Sequence, residues 1–130
     1  MTNSLVDLEG SDTIFIIGSN TATSHPLVAT RILRARENGA KILVADPRKN
    51  QIADLSHLYV RHRPGTDVAL LNGMMKVILD ERLEDTDFIK KKTEAYDAFK
   101  NLIEKVDLDA VSKICGVSVE DIKTLALTYA

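Results

Sequence analysis

TIFIIGSNTATSHPLVATRILRARENGAKILVADPR, residues 13–48, decides the fold. Its first five residues, Thr13 to Ile17, form a continuous apolar run that stops at Gly18, the pattern of a parallel strand covered on both faces. Ser19 to Ser24 reads as a small polar loop. Pro26 then suits the first position of a helix, where the N–H that proline lacks would have no partner in any case. Leu27, Val28, Ile32 and Ala35 keep a helical period, Arg31, Arg34 and Arg36 fall on the outward side, and Asn38-Gly39 closes the helix. Lys41 to Ala45 is a second buried strand, ended by Asp46-Pro47 because proline cannot donate to a central ladder. Strand, helix and strand in this order make a βαβ unit, whose crossover is right-handed.

Downstream, a short helix over Gln51 to Leu55 leads to a third, less buried strand, Leu58 to His62. Leu58 and Val60 share one of its faces, Tyr59 and Arg61 the other. Pro64-Gly65 turns the chain, Thr66 suits an N-cap, and Leu71, Met74, Met75 and Ile78 mark the apolar face of the next helix. From Leu83 the patterns are helical only: Thr86 to Lys92, Glu94 to Val106, Leu108 to Cys115 stopped by Gly116, and Val119 to Ala130, with Asp107 and Ser118 as N-caps. The fold class is therefore α/β, a Rossmann-like parallel sheet of about three strands flanked by helices, with a helical C-terminal part. It is one domain, 1–130, with a βαβ part over 1–81 and a helical part over 82–130.

Composition narrows the function classes. A chain of 130 residues, 45% hydrophobic, has room for one core. Lys plus Arg number 17 against 19 Asp plus Glu, a net charge of -2, and the cations are scattered, which argues against nucleic acid as a partner. Cys115 is the one cysteine, so no internal disulfide, CxxC pair or cysteine cluster for zinc or iron and sulfur can form within the chain. A reducing cytoplasm is the expected compartment. MTNSLVDLEG offers neither a signal peptide nor a membrane span. The unpunctuated end of the last helix leaves room for a natural chain that continues.

In open parallel sheets, ligands sit beyond the carboxyl ends of the strands, near helix N-termini. Three loops hold that position. In the first, Gly18 permits close backbone approach and Ser19, Asn20 and Thr23 can bond phosphate or sugar oxygens; it is not a GxGxxG loop, and a plain strand-to-helix connection fits equally. In the second, Asp46-Pro47-Arg48, the carboxylate can accept from a ribose or from guanine N–H groups, or merely shape a turn. In the third, Gly65-Thr66-Asp67, the acid can cap a helix dipole or meet a base edge. No catalytic set and no metal site emerges from His25, His57 and His62. Cys115, on an apolar helix face, reads as a buried structural thiol, and Lys90 to Lys92 as a solvated helical turn.

Together FIIGSNTATSHP, ILVADPR, PGTDVALLNGMMKVI, EDTDFIKKKTEAYDAFK and ICGVSVEDIKTLALTYA resemble the molybdopterin oxidoreductase family, in particular the alpha (catalytic) subunits of formate dehydrogenases, with nitrate reductases sharing much of the pattern. The resemblance covers nearly the whole chain in unbroken order. It implies that the segment belongs to the Rossmann-like cofactor-binding domain of a larger oxidoreductase, with 1–81 as the nucleotide-binding part, and holds one guanine dinucleotide arm of the molybdopterin guanine dinucleotide cofactor. Gly18, Ser19, Asn20 and Thr23 would line the first loop, Asp46, Pro47 and Arg48 the second, and Gly65, Thr66 and Asp67 the guanine-facing turn. Thr23 stands where many members carry an acid. Nothing here matches the family's molybdenum or tungsten ligand or its iron-sulfur cysteines, so the segment would bind and orient while the metal does the redox chemistry. The expected partners are the remainder of the subunit, and copies of the chain itself through exposed apolar surface; no nucleic acid or membrane is expected. Two other readings stand beside this one, a cofactor-free structural domain like that of the complex I large subunit and a separate nucleotide-binding module.

Overall fold

A computed structural model describes residues 4–130 of the chain; the reading of the leader at positions 1–3 lies outside the described residues. The elements, in order, are a 3-10 helix (Leu5–Gly10), β1 (Thr13–Ile17), α1 (Thr21–Ser24), α2 (Pro26–Glu37), β2 (Lys41–Ala45), α3 (Gln51–Asp54), β3 (Leu58–Val60), α4 (Asp67–Asp80), α5 (Thr86–Lys92), α6 (Tyr96–Ile103), α7 (Leu108–Cys115) and α8 (Val119–Tyr129). The α/β class, the parallel three-stranded sheet and the helical C-terminal half are as the sequence indicates. The described residues fall into two compact units, one running to His62 and including Tyr129, the other comprising Arg63–Thr128 and Ala130.

In the first unit the strands lie in the order β1-β2-β3, all parallel, with Ile14 beside Ile42 and Val44 beside both Ile16 and Tyr59. On that face Ile14, Ile16, Ile42 and Val44 pack with Ala29, Ile32 and Ala35 of α2 and Ile52 and Ala53 of α3. Small residues on α2 let the helix approach the sheet while Ile32 fills the gap between them. Leu43 and Ala45 alternate to the opposite face and are fully buried as well. β2 is thus the central strand covered on both sides. β1 is not: Ile14 and Ile16 are buried, but Thr13, Phe15 and Ile17 are only half-buried. An unbroken apolar run therefore conceals an alternating strand, a distinction that composition alone does not make.

Two local readings are corrected. Ser19 to Ser24 is not simply loop, since Thr21–Ser24 closes one helical turn with Asn20 as its N-cap residue. His25, placed before Pro26 and unable to stay helical, separates α1 from α2 with φ -141° and ψ 65°. β3 stops at Val60, short of His62. The N-terminal 3-10 helix was not foreseen; it rests on α2 through Glu9, whose carboxylate meets the guanidinium groups of Arg31 and Arg34.

In the second unit α4 is the hub, packing against α7 and α6. Its buried stripe is Leu70, Gly73, Met74 and Val77 rather than Leu71, Met74, Met75 and Ile78, a rotation of about one residue around the helix. The cause is Gly73: a Cβ there would lie 2.9 Å from Cγ1 of Val111 and 3.3 Å from Cγ2 of Ile122, so the bare backbone is the contact surface. A pattern built on large side chains overlooks a stripe centred on a glycine. α6 starts later than Glu94 because Ala95 takes a left-handed φ of 55°. Gly116, with φ 76°, ends α7, and Ser118 caps α8 by accepting from the Asp121 N–H at 3.0 Å. Cys115 is fully buried, as its apolar face suggests.

Candidate functional site

The first unit carries a cleft of about 420 Å³ lined by Asn20, Thr23, Asp46, Arg48, Lys49, Asn50, Gln51 and Asp54. It lies at the carboxyl ends of β1 and β2, where the chain leaves the sheet. At the tip of β1, Gly18 takes φ 59°, which a side chain would resist, and its N–H donates to the Ala45 carbonyl at 2.9 Å. That bond extends the ladder one residue and fixes where the first loop departs. Ser19 Oγ and Thr21 Oγ1 are 2.9 Å apart, with Thr21 buried, so the loop is braced from within. The carbonyl of Asn20 accepts from the N–H groups of Thr23 and Ser24 while its side chain makes no capping bond. Asn20 and Thr23 are both exposed along the cleft.

At the tip of β2, Asp46 is only 6% exposed. Its Oδ1 accepts from the Arg48 N–H at 2.8 Å, closing a tight turn around Pro47. Its carbonyl accepts from the Tyr59 hydroxyl at 2.8 Å, and the Pro47 carbonyl from Arg61 Nε at 2.9 Å. β3 thus holds the second loop from behind. Among the described residues, Oδ2 of Asp46 has no hydrogen-bond partner. That oxygen is not among the buried side-chain atoms left without a partner, so solvent reaches it at the cleft and it is available to accept from a donor there.

Four lining residues were not singled out from sequence: Lys49, Asn50, Gln51 and Asp54. Asn50 caps α3, accepting from the Ala53 N–H at 3.1 Å, a role that an asparagine before a short helical segment could have signalled. Lys49 Nζ is 3.0 Å from Asp54 Oδ1, but both are more than half exposed, so the pair is worth little and either can turn to a ligand. With Arg48 they put two cations and one carboxylate around the rim, above the buried carboxylate of Asp46. A nucleotide needs that combination, with cations for phosphate and a fixed acceptor for sugar hydroxyls or base N–H groups.

The structure brings the first two sequence-derived loops together. Asn20, Thr23, Asp46 and Arg48 share the cleft, while Gly18, Ser19 and Pro47 shape the backbone behind it. Gly65, Thr66 and Asp67 belong to the second unit. There Gly65 takes φ 77° at the turn into α4, and Asp67 opens the helix where a negative charge suits the dipole. Thr66 occupies the N-cap position without a capping bond; its hydroxyl donates instead to the Arg63 carbonyl at 2.7 Å. Among the described residues, no group of three or more His, Cys, Asp or Glu side chains is arranged to hold a metal ion, and no helix is long and apolar enough to cross a membrane.

Residues 1–121 match the family described as Molybdopterin oxidoreductase. The chain is 50% identical over 99% of its length to the F420-dependent formate dehydrogenase subunit alpha of Methanocaldococcus jannaschii, and covers 19% of that protein. It is 37% identical over 100% of its length to formate dehydrogenase H of Escherichia coli, covering 18% of it. Among solved structures, acetylene hydratase from Pelobacter acetylenicus superimposes on 90% of this chain with a TM-score of 0.83 at 29% identity, this chain spanning 16% of that one.

Proposed function

Because the chain belongs to the molybdopterin oxidoreductase family, we propose that it is the part of a formate dehydrogenase-like subunit that holds one guanine dinucleotide arm of the molybdopterin guanine dinucleotide cofactor. The chain matches less than a fifth of the length of either formate dehydrogenase, so the proposed partner is the remainder of such a subunit. The bound cofactor would supply the redox chemistry through its metal. The chain's own residues bind and orient.

The observation that supports this reading is the buried Asp46 carboxylate, tied by Oδ1 to its own turn and open at Oδ2, beside a rim of Arg48 and Lys49. In the proposed complex Asp46 accepts from a sugar hydroxyl or a guanine N–H, Arg48 and Lys49 neutralise phosphate, and Asn20 and Thr23 donate or accept from the first loop. Gly18, Ser19 and Pro47 shape the loops' backbone. Gly65, Thr66 and Asp67 are proposed for the guanine end on the resemblance of their turn to the family's motif alone. The proposed setting is cytoplasmic.

Calorimetric titration of GDP into the chain, with ADP as comparison, tests the proposal. GDP binding in the millimolar range or tighter is expected, with Asp46→Asn weakening it by about tenfold to a hundredfold, since a hydrogen bond to a charged group contributes about 1.5–3 kcal/mol. Asn retains the Oδ1 acceptor for Arg48, so the turn should survive. Asp67→Ala reports whether the third turn takes part. Absence of GDP binding at millimolar concentration would overturn the reading.

A further inference from the structure

We propose that Asn50 is a positioning residue that clamps the two loops of the cleft at the spacing a nucleotide requires, an inference that rests on the nucleotide reading above. Its amide works in both directions. Nδ2 donates to the Ser19 carbonyl at 3.2 Å, across 31 residues of chain, while Oδ1 accepts from the Ala53 N–H at 3.1 Å.

These two bonds do different jobs. The Oδ1 bond is an ordinary helix cap, which Asp, Ser or Thr would supply as well. The Nδ2 bond is not needed by α3. It holds the peptide joining Ser19 to Asn20, the residue that presents the first loop to the cleft. On its N-terminal side the same loop is pinned by the Gly18 N–H on the Ala45 carbonyl at 2.9 Å. Ser19 is therefore fastened to β2 through its neighbour and to α3 through Asn50. Asn20 follows with no side-chain cap of its own to anchor it. Without the amide, the first loop keeps its bond to β2 at Gly18 but loses its tie to the start of α3, and beyond Ser19 it samples wider separations. Binding then has to order it again, which weakens affinity.

The test uses the full chain, with GDP as probe, and three variants: Asn50→Ser, Asn20→Ala and the double change. Serine keeps an oxygen for the Ala53 N–H and is too short to reach Ser19. Expected results for Asn50→Ser are a melting temperature within about 3 °C of the parent, faster amide exchange at Asn20 and Thr21, and a GDP dissociation constant raised about fivefold, the worth of one neutral hydrogen bond. In the Asn20→Ala background the affinity effect of Asn50→Ser should largely vanish, because the clamp acts through Asn20.

An unchanged dissociation constant in Asn50→Ser, or a full fivefold effect that persists in the Asn20→Ala background, overturns the positioning role while leaving the nucleotide reading intact. Failure of the parent chain to bind GDP overturns both.

Discussion

The backbone N–H of Ile42 donates to Nδ1 of His57 at 3.0 Å, and the backbone N–H of His57 donates back to the Ile42 carbonyl at 2.8 Å. The imidazole takes the place of a strand carbonyl one step before β3 begins, and so extends the β2–β3 ladder below its first backbone pair. Nδ1 is the acceptor, so the ring proton sits on Nε2. Ile42 is itself almost wholly buried.

His57→Ala leaves that N–H to water at the rim of the sheet. A loss of about 1–2 kcal/mol in urea unfolding is expected, less than for a donor sealed in the core, because His57 is exposed and solvent can follow. A loss below about 0.5 kcal/mol would show that the bond is dispensable.

Gly73→Ala sets two effects against each other. Alanine raises helix propensity by about 1 kcal/mol, but its Cβ would enter the space of Val111 Cγ1. Overpacking of about 1–3 kcal/mol should prevail, giving net destabilisation of about 1 kcal/mol. Val111→Ala in the same chain removes the obstructing methyl, so denaturant midpoints should show the two changes to be less harmful together than their sum.

Arg63 joins the turn before α4 to the end of α7. Its N–H donates to the Cys115 carbonyl at 2.8 Å and its Nη1 to the carbonyls of Lys113 and Ile114. Arg63→Ala strips the last turn of α7 of a cation at its negative end. Stability should fall by about 1 kcal/mol, with hydrogen exchange rising first in the amides of residues 113–118.

Glu9 gives a pH signature. The Arg31 guanidinium bonded to it, followed by that of Arg34, holds its carboxyl below the ordinary range despite an opposing desolvation. A folded value below the unfolded one stabilises fully at pH above the unfolded value, about 4.3, and the contribution disappears as pH falls through the folded value. Stability measured against pH for the parent and Glu9→Gln should therefore begin to converge as pH falls below the unfolded value and meet once it has passed the lowered folded value. Curves that stay parallel through that range would deny the linkage.

The elements most legible in the sequence are those punctuated by chemistry. Pro26, Asn38-Gly39, Asp107, Gly116 and Ser118 mark ends that the structure keeps, and β2 declares itself by four successive buried apolar residues. What escaped had no such marker. α1 is four polar or small residues held by two bonds to Asn20, and the 3-10 helix depends on Glu9 meeting arginines far along the chain. In the cleft, Asn20, Thr23, Asp46 and Arg48 were readable as loop residues at strand tips. Lys49, Asn50, Gln51 and Asp54 were not, because a cleft wall made by the start of α3 is set by where that helix docks on β2.

The most direct test is to map GDP binding on the chain by NMR amide shifts. The cleft account predicts that addition of GDP moves the resonances of Gly18 to Ser24 and Asp46 to Asp54 in a saturable manner, and that Asp46→Asn shifts the saturation point to higher concentration. Saturable shifts confined to residues away from those two segments, or none at all, would contradict it.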